Sequence, residues 1–264
     1  RQMCIRDRTE AITLEQSKLT LSKDITVLSF SDSSMVDRNS SIIKVDSGWI
    51  VYSKNSESSI LSFTSDGQFS GYIGHRGNGP GEYTSVYDVV VNQKSKVLEV
   101  LSDGGIFCYT FGGDFLDKKE VTYPAFSFAI DDRQNYWFYV GNNTTYGDAK
   151  MICTDENIAN VAYYLHQKSN MLPMVENNFG RNGEWLTFHE SLNHDLYTIE
   201  NGKLDLSYAM DFPNYKLPKK LHELSGMEVI EELQRSNYAS IINYLENHAV
   251  SYTHLRAHET SAHL

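Results

Sequence analysis

Apolar and polar residues alternate in short runs through most of the chain, and the runs fall into groups of four. In the first group residues 41–45 read as a strand, Asp46, Ser47 and Gly48 as a turn, and residues 49–52 as a second strand. A polar loop at 55–58 leads to a third strand at 59–63. Ser65, Asp66 and Gly67 then signal a hairpin, and 68–73 is the fourth strand. The order recurs at 86–91, 97–101, 106–110 and 115–121, with a last hairpin over Phe111, Gly112, Gly113 and Asp114. It recurs again at 126–130, 136–140, 150–153 and 158–165, turning at Asp155, Glu156 and Asn157. A rougher fourth group runs from about Val175 through 185–188 and 195–199 to 203–210, turning at Asn201 and Gly202. Before all of these, residues 25–30 alternate as a lone strand.

The turn residues Gly67, Gly113, Asn157 and Gly202 are spaced 46, 44 and 45 apart. Each sits where a left-handed φ favours Gly or Asn. Four strands in a period near 45 residues is the signature of a β-propeller blade. A β-sandwich would give strands without that period. The sequence therefore predicts an all-β propeller with about four blades, at residues 41–83, 84–124, 125–172 and 173–212. After Asp211 the periodicity changes. Leu221, Leu224, Met227, Ile230, Leu233, Ile241, Ile242 and Leu245 recur at helical spacing across 219–248, which reads as a helical insertion packed on a propeller edge or a partner-binding helix.

The densest glycine cluster lies at Gly74, His75, Arg76, Gly77, Asn78, Gly79, Pro80, Gly81, Glu82 and Tyr83. Pro80 fixes its own φ and Gly81 suits the second central position of a type II turn. The Glu82 carboxylate is placed to accept from the loop amides. Gly74, Gly77, Gly79, Pro80, Gly81, Glu82 and Tyr83 are thus read as a structural turn joining the first blade to the second. His75 and Arg76, at the tip, are the candidate ligand or partner contacts. A phosphate cradle is the competing reading, but neither GxGxxG nor GxxxxGK[ST] is present and a strand follows at 85–91.

Composition sharpens this picture. Seventeen Tyr and 12 Phe within a chain of 264 residues favour strands, and an apolar share of 41% supports a core. Residues 2–8 and 250–260 resemble translated sequencing-adapter remnants, so 1–8 and 250–264 are set apart from fold reasoning and 9–249 is taken as the natural stretch, cut at both ends. The charge of −11 for the whole chain becomes 19 basic against 32 acidic residues, or −13, without those ends. That balance disfavours nucleic acid and anionic membrane as partners. Cys108 and Cys153 lie in third strands at offsets differing by one, which predicts opposite faces and no disulfide.

With the repeats laid out, Asp66-Gly67-Gln68-Phe69, Ile73-Gly74 and Gly77-Asn78-Gly79-Pro80-Gly81-Glu82-Tyr83 resemble the six-bladed β-propeller family common in gut Bacteroidales, itself similar to NHL-repeat propellers. The resemblance covers about 24–249. It implies an exported, periplasmic or cell-surface protein, often lipid-anchored, so that any membrane association would come through an anchor. It also implies further blades beyond 249 and makes residues 25–30 the strand that completes the last blade. A fragment of four blades would be an open arc with an unsatisfied, aggregation-prone edge. No second copy of Gly-Pro-Gly-Glu-Tyr occurs in the other blades.

The remaining candidates carry weaker chemistry. His189, Glu190 and His194 have a five-residue His spacing in a strand and turn, where the zinc motif needs four on a helix. Asp131-Asp132 and Glu231-Glu232 are adjacent acids of the kind found in turns and on solvated helix faces. Asn39 and Asn143 begin glycosylation sequons. The inner strands offer mainly Lys44, Asp88 and Ser127, not a ring of acids. The reading is a non-enzymatic exported scaffold, without cofactor or metal, binding a small molecule, glycan or protein. The alternative is a metal-dependent hydrolase or lyase of the propeller lactonase kind, with a divalent cation at the central channel.

Overall fold

The computed structural model describes residues 2–4, 25–29, 40–54, 59–141, 143, 147–166, 177–182, 185–190, 193–211, 216, 218–224, 227–235, 239–241 and 255–257. Its strands in chain order begin with β1 (Gln2–Cys4). The first blade holds β2 (Ser41–Val45), β3 (Gly48–Tyr52), β4 (Ile60–Thr64) and β5 (Phe69–Ile73). The second holds β6 (Asp88–Asn92), β7 (Val97–Ser102), β8 (Gly105–Tyr109) and β9 (Phe115–Lys119). The third holds β10 (Ser127–Ile130), β11 (Tyr136–Tyr139), β12 (Ala149–Thr154) and β13 (Ala162–His166). The fourth holds β14 (Phe179–Asn182), β15 (Trp185–His189), β16 (Asp195–Glu200) and β17 (Lys203–Asp211). Every blade is an antiparallel meander in chain order, and β1 adds in parallel to β17. The fold class is the all-β propeller that the period predicts.

The chain divides into two compact units, residues 8–122 and residues 123–264 with 1–7. In the first unit the two blades share one core. Ile50, Tyr52, Ile60 and Ile73 of the first blade pack with Tyr83, Val86, Val89, Leu98, Val100, Phe107 and Tyr109. In the second unit Ala129, Trp137, Tyr139, Met151 and Cys153 of the third blade pack with Leu186, Phe188 and Ile199 of the fourth. Beyond the blades stand a 3₁₀ turn (Lys219–Glu223), helix α1 (Met227–Arg235) and a small hairpin of β18 (Ala239–Ile241) with β19 (Leu255–Ala257). Leu221, Val229, Leu224 and Leu233 form a separate apolar cluster there, whereas Met227 and Ile230 of the predicted helical spacing are exposed and Ile241 lies in β18 rather than in a helix.

The outer hairpins explain the period. In the first blade Gly67 N donates to Thr64 O at 3.0 Å and Thr64 N to Gln68 O at 2.9 Å, with Gly67 at φ +89°. Gly113 repeats this, with bonds of 3.0 and 2.9 Å and φ +99°. Both are type I turns closed by a left-handed residue. The third blade has the same bonds, but the left-handed residue is Ile158 at φ +59° and not Asn157. The Asp155 carboxylate enforces the turn by accepting from the amides of Asn157 and Ala159, each at 2.9 Å. Moving the repeat mark to Ile158 also changes the cysteine argument. Cys108 and Cys153 each stand five residues before the left-handed position, so they occupy equivalent places rather than opposite faces. Both are buried and free. The fourth blade uses a two-residue hairpin, with Asn201 at +54° and Gly202 at +72°.

The lone strand expected at 25–30 is not a ladder strand in its described part. Ser29 makes an isolated parallel bridge to Gln68 and donates to Gly67 O at 2.8 Å. A Cβ on Gly67 would lie 2.1 Å from Val27 O, and one on Gly113 would lie 2.5 Å from Tyr72 O. Val27 thus stands toward the first blade's hairpin as outer-strand residue Tyr72 stands toward the second's. The strand expected from 85 starts at Asp88, because Thr84, Ser85 and Tyr87 turn their side chains to a neighbouring hairpin instead.

Candidate functional site

The loop from Gly74 to Tyr87 joins β5 to β6, and its glycines are demanded by close contacts. Gly79 to Glu82 form a type II turn, with Glu82 N donating to Gly79 O at 3.1 Å and Gly81 at φ +74°. The Glu82 Oε2 accepts the Gly79 amide at 2.8 Å. Two backbone bonds, Gly77 N to Tyr83 O at 3.0 Å and Tyr83 N to His75 O at 3.1 Å, close the loop on itself. A Cβ on Gly81 would fall 2.6 Å from the Phe115 ring. The fully buried Tyr83 anchors the base. Its hydroxyl accepts from Ile60 N and donates to Ile73 O, both at 3.3 Å, and burial pushes its pKa up. Tyr109 packs edge-on against it at 6.3 Å between centroids and donates to Gly81 O at 2.8 Å.

The tip of this rigid loop is polar. His75 and Arg76 are exposed, and Arg76 Nε donates to Thr84 O at 3.0 Å. From Thr84 a network continues to the turn between β7 and β8. Asp103 Oδ2 accepts from Thr84 Oγ1 at 2.7 Å and from Ser85 Oγ at 3.2 Å, and Asp103 Oδ1 accepts from Tyr87 Oη at 2.5 Å. Ser102 Oγ accepts the Ser85 amide at 3.2 Å. The Tyr87 and Thr84 hydroxyls hold the Asp103 carboxyl below the usual carboxylate range, and the same carboxylate pushes the Tyr87 phenol up. Asp103 itself is exposed and Tyr87 half-buried. The result is a surface constellation of one carboxylate, one guanidinium and several hydroxyls on a fixed backbone.

The same unit also holds a buried ion pair, Lys54 Nζ to Asp88 Oδ1 at 2.9 Å, next to Tyr52, whose pKa is pushed up by burial and by Asp88. The other unit repeats the theme. Lys150 Nζ contacts Glu190 Oε1 and Oε2 at 3.0 and 3.1 Å, and Tyr139 Oη donates to Glu190 Oε1 at 2.7 Å. Ser127 Oγ donates to Asn178 Oδ1 at 2.9 Å, and Asn178 Nδ2 to His189 O at 3.2 Å. Tyr52 and Tyr139 both end a second strand, and in both units the charged pair sits at the end where inner strands begin. In each case the carboxylate and the cation come from neighbouring blades. A buried pair with added hydroxyl and backbone bonds is a clasp between sheets.

The other sequence candidates fall apart in space or become structural. His189 is buried with Nδ1 lacking a partner, and burial lowers its pKa to about 4. Its neighbour Glu190 is held by Lys150, on the opposite pleat. Asp131 is buried and locks a turn, accepting from the amides of Arg133 and Asn135 at 2.9 Å and from Trp137 Nε1 at 3.0 Å. On α1, Glu231 pairs with Arg235 at 3.5 Å and Glu232 with Lys220 at 2.7 Å. Lys44 lies over the Trp49 ring at 5.3 Å. Asn39 is outside the described residues. Among the described residues, no three His, Cys, Asp or Glu side chains converge to hold a metal ion. Sequence reasoning missed Tyr87, Asp103, Tyr139 and Lys150. Asp103-Gly104 was a hairpin signal, and Lys150 was a lone charge between Ala149 and Met151 in an apolar strand.

The profile of a domain of unknown function, DUF4934, matches residues 10–263. The chain belongs to that family. A comparison with curated proteins finds no match. Among solved structures, a Bacteroides fragilis protein described as exported aligns with a TM-score of 0.70 and 16% identity over 81% of this chain. This chain spans 64% of that protein's length. A DUF4221 family member from Bacteroides vulgatus aligns with a TM-score of 0.49 and 11% identity, over 81% of this chain and 69% of that one. A streptogramin B lyase aligns with a TM-score of 0.46 and 17% identity, over 70% of this chain and 57% of that one. At these identities the likeness is one of fold.

Proposed function

We propose that this DUF4934 chain is a non-enzymatic, exported propeller scaffold that binds a small molecule, glycan or protein partner. The observation that carries this reading is the rigid loop between β5 and β6, whose tip presents His75 and Arg76 beside the Asp103 hydroxyl network. A backbone fixed by Tyr83, Glu82 and Tyr109 keeps those groups preorganised, which lowers the ordering cost of binding. Export to the periplasm or cell surface is supported by the Bacteroides fragilis relative described as exported.

The same reading extends to the whole protein. A six-bladed propeller accommodates the 64% share of that relative and the Val27–Gly67 approach, with residues 25–29 serving as an outer strand of the closing blade. Within this proposal residues 1–8 and 250–264 are read as adapter-derived, although the family match includes residues 250–263. The test is ligand screening of the full chain by thermal shift, alongside metal analysis. Ligand-dependent stabilisation that His75→Ala and Arg76→Ala abolish supports the scaffold. Stoichiometric Ca²⁺ or Zn²⁺ with hydrolase or lyase turnover would replace it by the metal-dependent alternative.

A further inference from the structure

We infer that Thr84, Ser85, Tyr87 and Asp103, with Arg76 at the margin, form a subsite for an uncharged sugar. The inference rests on the binding-scaffold reading and names its ligand class. A sugar offers several hydroxyls in fixed directions, each both donor and acceptor, on an apolar ring frame. The network matches that chemistry. Its three hydroxyls, on Thr84, Ser85 and Tyr87, all donate inward to Asp103 at 2.7, 3.2 and 2.5 Å. Donation to the carboxylate leaves each oxygen with acceptor capacity, shared in part with Ser102 beside Thr84, and polarises each hydroxyl. Asp103 is exposed and Tyr87 half-buried, so an aromatic edge borders the acceptors.

Electrostatics select against charged ligands. The carboxylate of Asp103 and the guanidinium of Arg76 leave the patch near neutrality, and both lie on a chain of net charge −11. A polyanion would meet repulsion from the whole molecule. The backbone is also settled before binding. Ser85 N is tied to Ser102 Oγ at 3.2 Å and Tyr87 N to Leu101 O at 2.9 Å. The two loops that bear the hydroxyls and the carboxylate are thereby held in one register.

The experiment applies the full chain to an array of neutral mono- to tetrasaccharides of glucose, galactose, mannose and xylose, then follows hits by calorimetry. Oligogalacturonate serves as the charged probe and triglycine as the peptide probe. Saturable binding of a neutral sugar is expected, weakened at least tenfold by Asp103→Asn and by Tyr87→Phe and unchanged by Glu231→Gln. Tyr87→Phe removes only a hydroxyl, and circular dichroism checks that each variant is folded. The inference is overturned if no neutral sugar binds, or if the folded Tyr87→Phe and Asp103→Asn variants bind as the parent does. Preferential binding of oligogalacturonate or triglycine that Arg76→Ala abolishes would also overturn it, while leaving the scaffold reading intact.

Discussion

Glu82 Oε2 accepts the Gly79 amide at 2.8 Å, and the same oxygen fills the space that a Cβ on Gly77 would need, 1.9 Å away. Three residues of the loop are thus one mechanical unit. Glu82→Ala loses a charge-assisted bond and is expected to destabilise the chain by about 1–2 kcal/mol. Gly77→Ala forces the carboxylate out and is expected to cost a similar amount. The two changes share one interaction, so Gly77→Ala should cost little in the Glu82→Ala background. Urea denaturation of the four members of the cycle measures this. Additive effects would show that the carboxylate does not hold the loop.

The Lys150–Glu190 pair makes an asymmetric prediction. Lys150→Met leaves Glu190 buried with only hydroxyl and amide donors, and is expected to destabilise by about 3–5 kcal/mol. The double variant Lys150→Met, Glu190→Gln removes both charges and should recover a large part of that loss. Tyr139→Phe deletes one bond to Glu190 and should cost about 1 kcal/mol. Thermal melts and urea titrations of the three variants rank them. A Lys150→Met chain as stable as the parent would contradict the clasp.

The blades were legible because the information that sets them is local. Alternation, turn residues and a period near 45 all reside in sequence neighbours, and the outer hairpins at Gly67 and Gly113 form where those residues place them. The error at the third hairpin has a physical cause. Asn157 has the better left-handed propensity, yet Asp155 takes the amides of Asn157 and Ala159 and leaves Ile158 in the left-handed position. The candidate site was less legible. Asp103 meets Thr84, Ser85 and Tyr87 across 16 to 19 residues, and Lys150 meets Glu190 across 40. The first set meets only when the strands of one blade pair and the second only when blade follows blade, so their residue types alone carry no signal of the meeting.

Cys108 and Cys153 are predicted to be inert thiols. Burial pushes each up to about 12, helped at Cys108 by Glu99 and at Cys153 by Asp131. At pH 8 the thiolate fraction is then on the order of one in ten thousand. Alkylation by iodoacetamide, read by mass spectrometry at the two sites, should be slow in the native chain and fast in urea. Rapid native labelling of either would contradict its burial.

His189 predicts an acid weakness. Burial holds its pKa at about 4 against 6.5 in the unfolded chain, with Glu190 opposing part of that shift. Below pH 6.5 the unfolded state therefore takes up a proton that the folded state refuses. The contribution is fully present above pH 6.5 and is lost as pH falls toward 4, by roughly 3 kcal/mol at most. The stability of the parent relative to His189→Leu, measured by urea denaturation at pH 7.0, 5.5 and 4.5, should fall as the pH drops. A constant difference between them across that range would rule the mechanism out.

Ile158 predicts the reverse kind of change, a substitution that stabilises. A β-branched side chain at φ +59° crowds its own backbone, at a cost of about 1–2 kcal/mol relative to glycine. Glycine also loosens the unfolded chain, which offsets part of that gain. Ile158→Gly should therefore raise stability by about 0.5–1 kcal/mol. Ile158→Asn, which tolerates the left-handed region without the added chain entropy, should do about as well. Asp155→Ala should lower stability in the Ile158 chain, because the carboxylate is what keeps the turn in place, and lower it less once residue 158 is glycine. Melting temperatures of the parent and the four variants decide the matter. A loss of stability in both Ile158 variants would mean that the side chain contributes packing that outweighs its strained backbone.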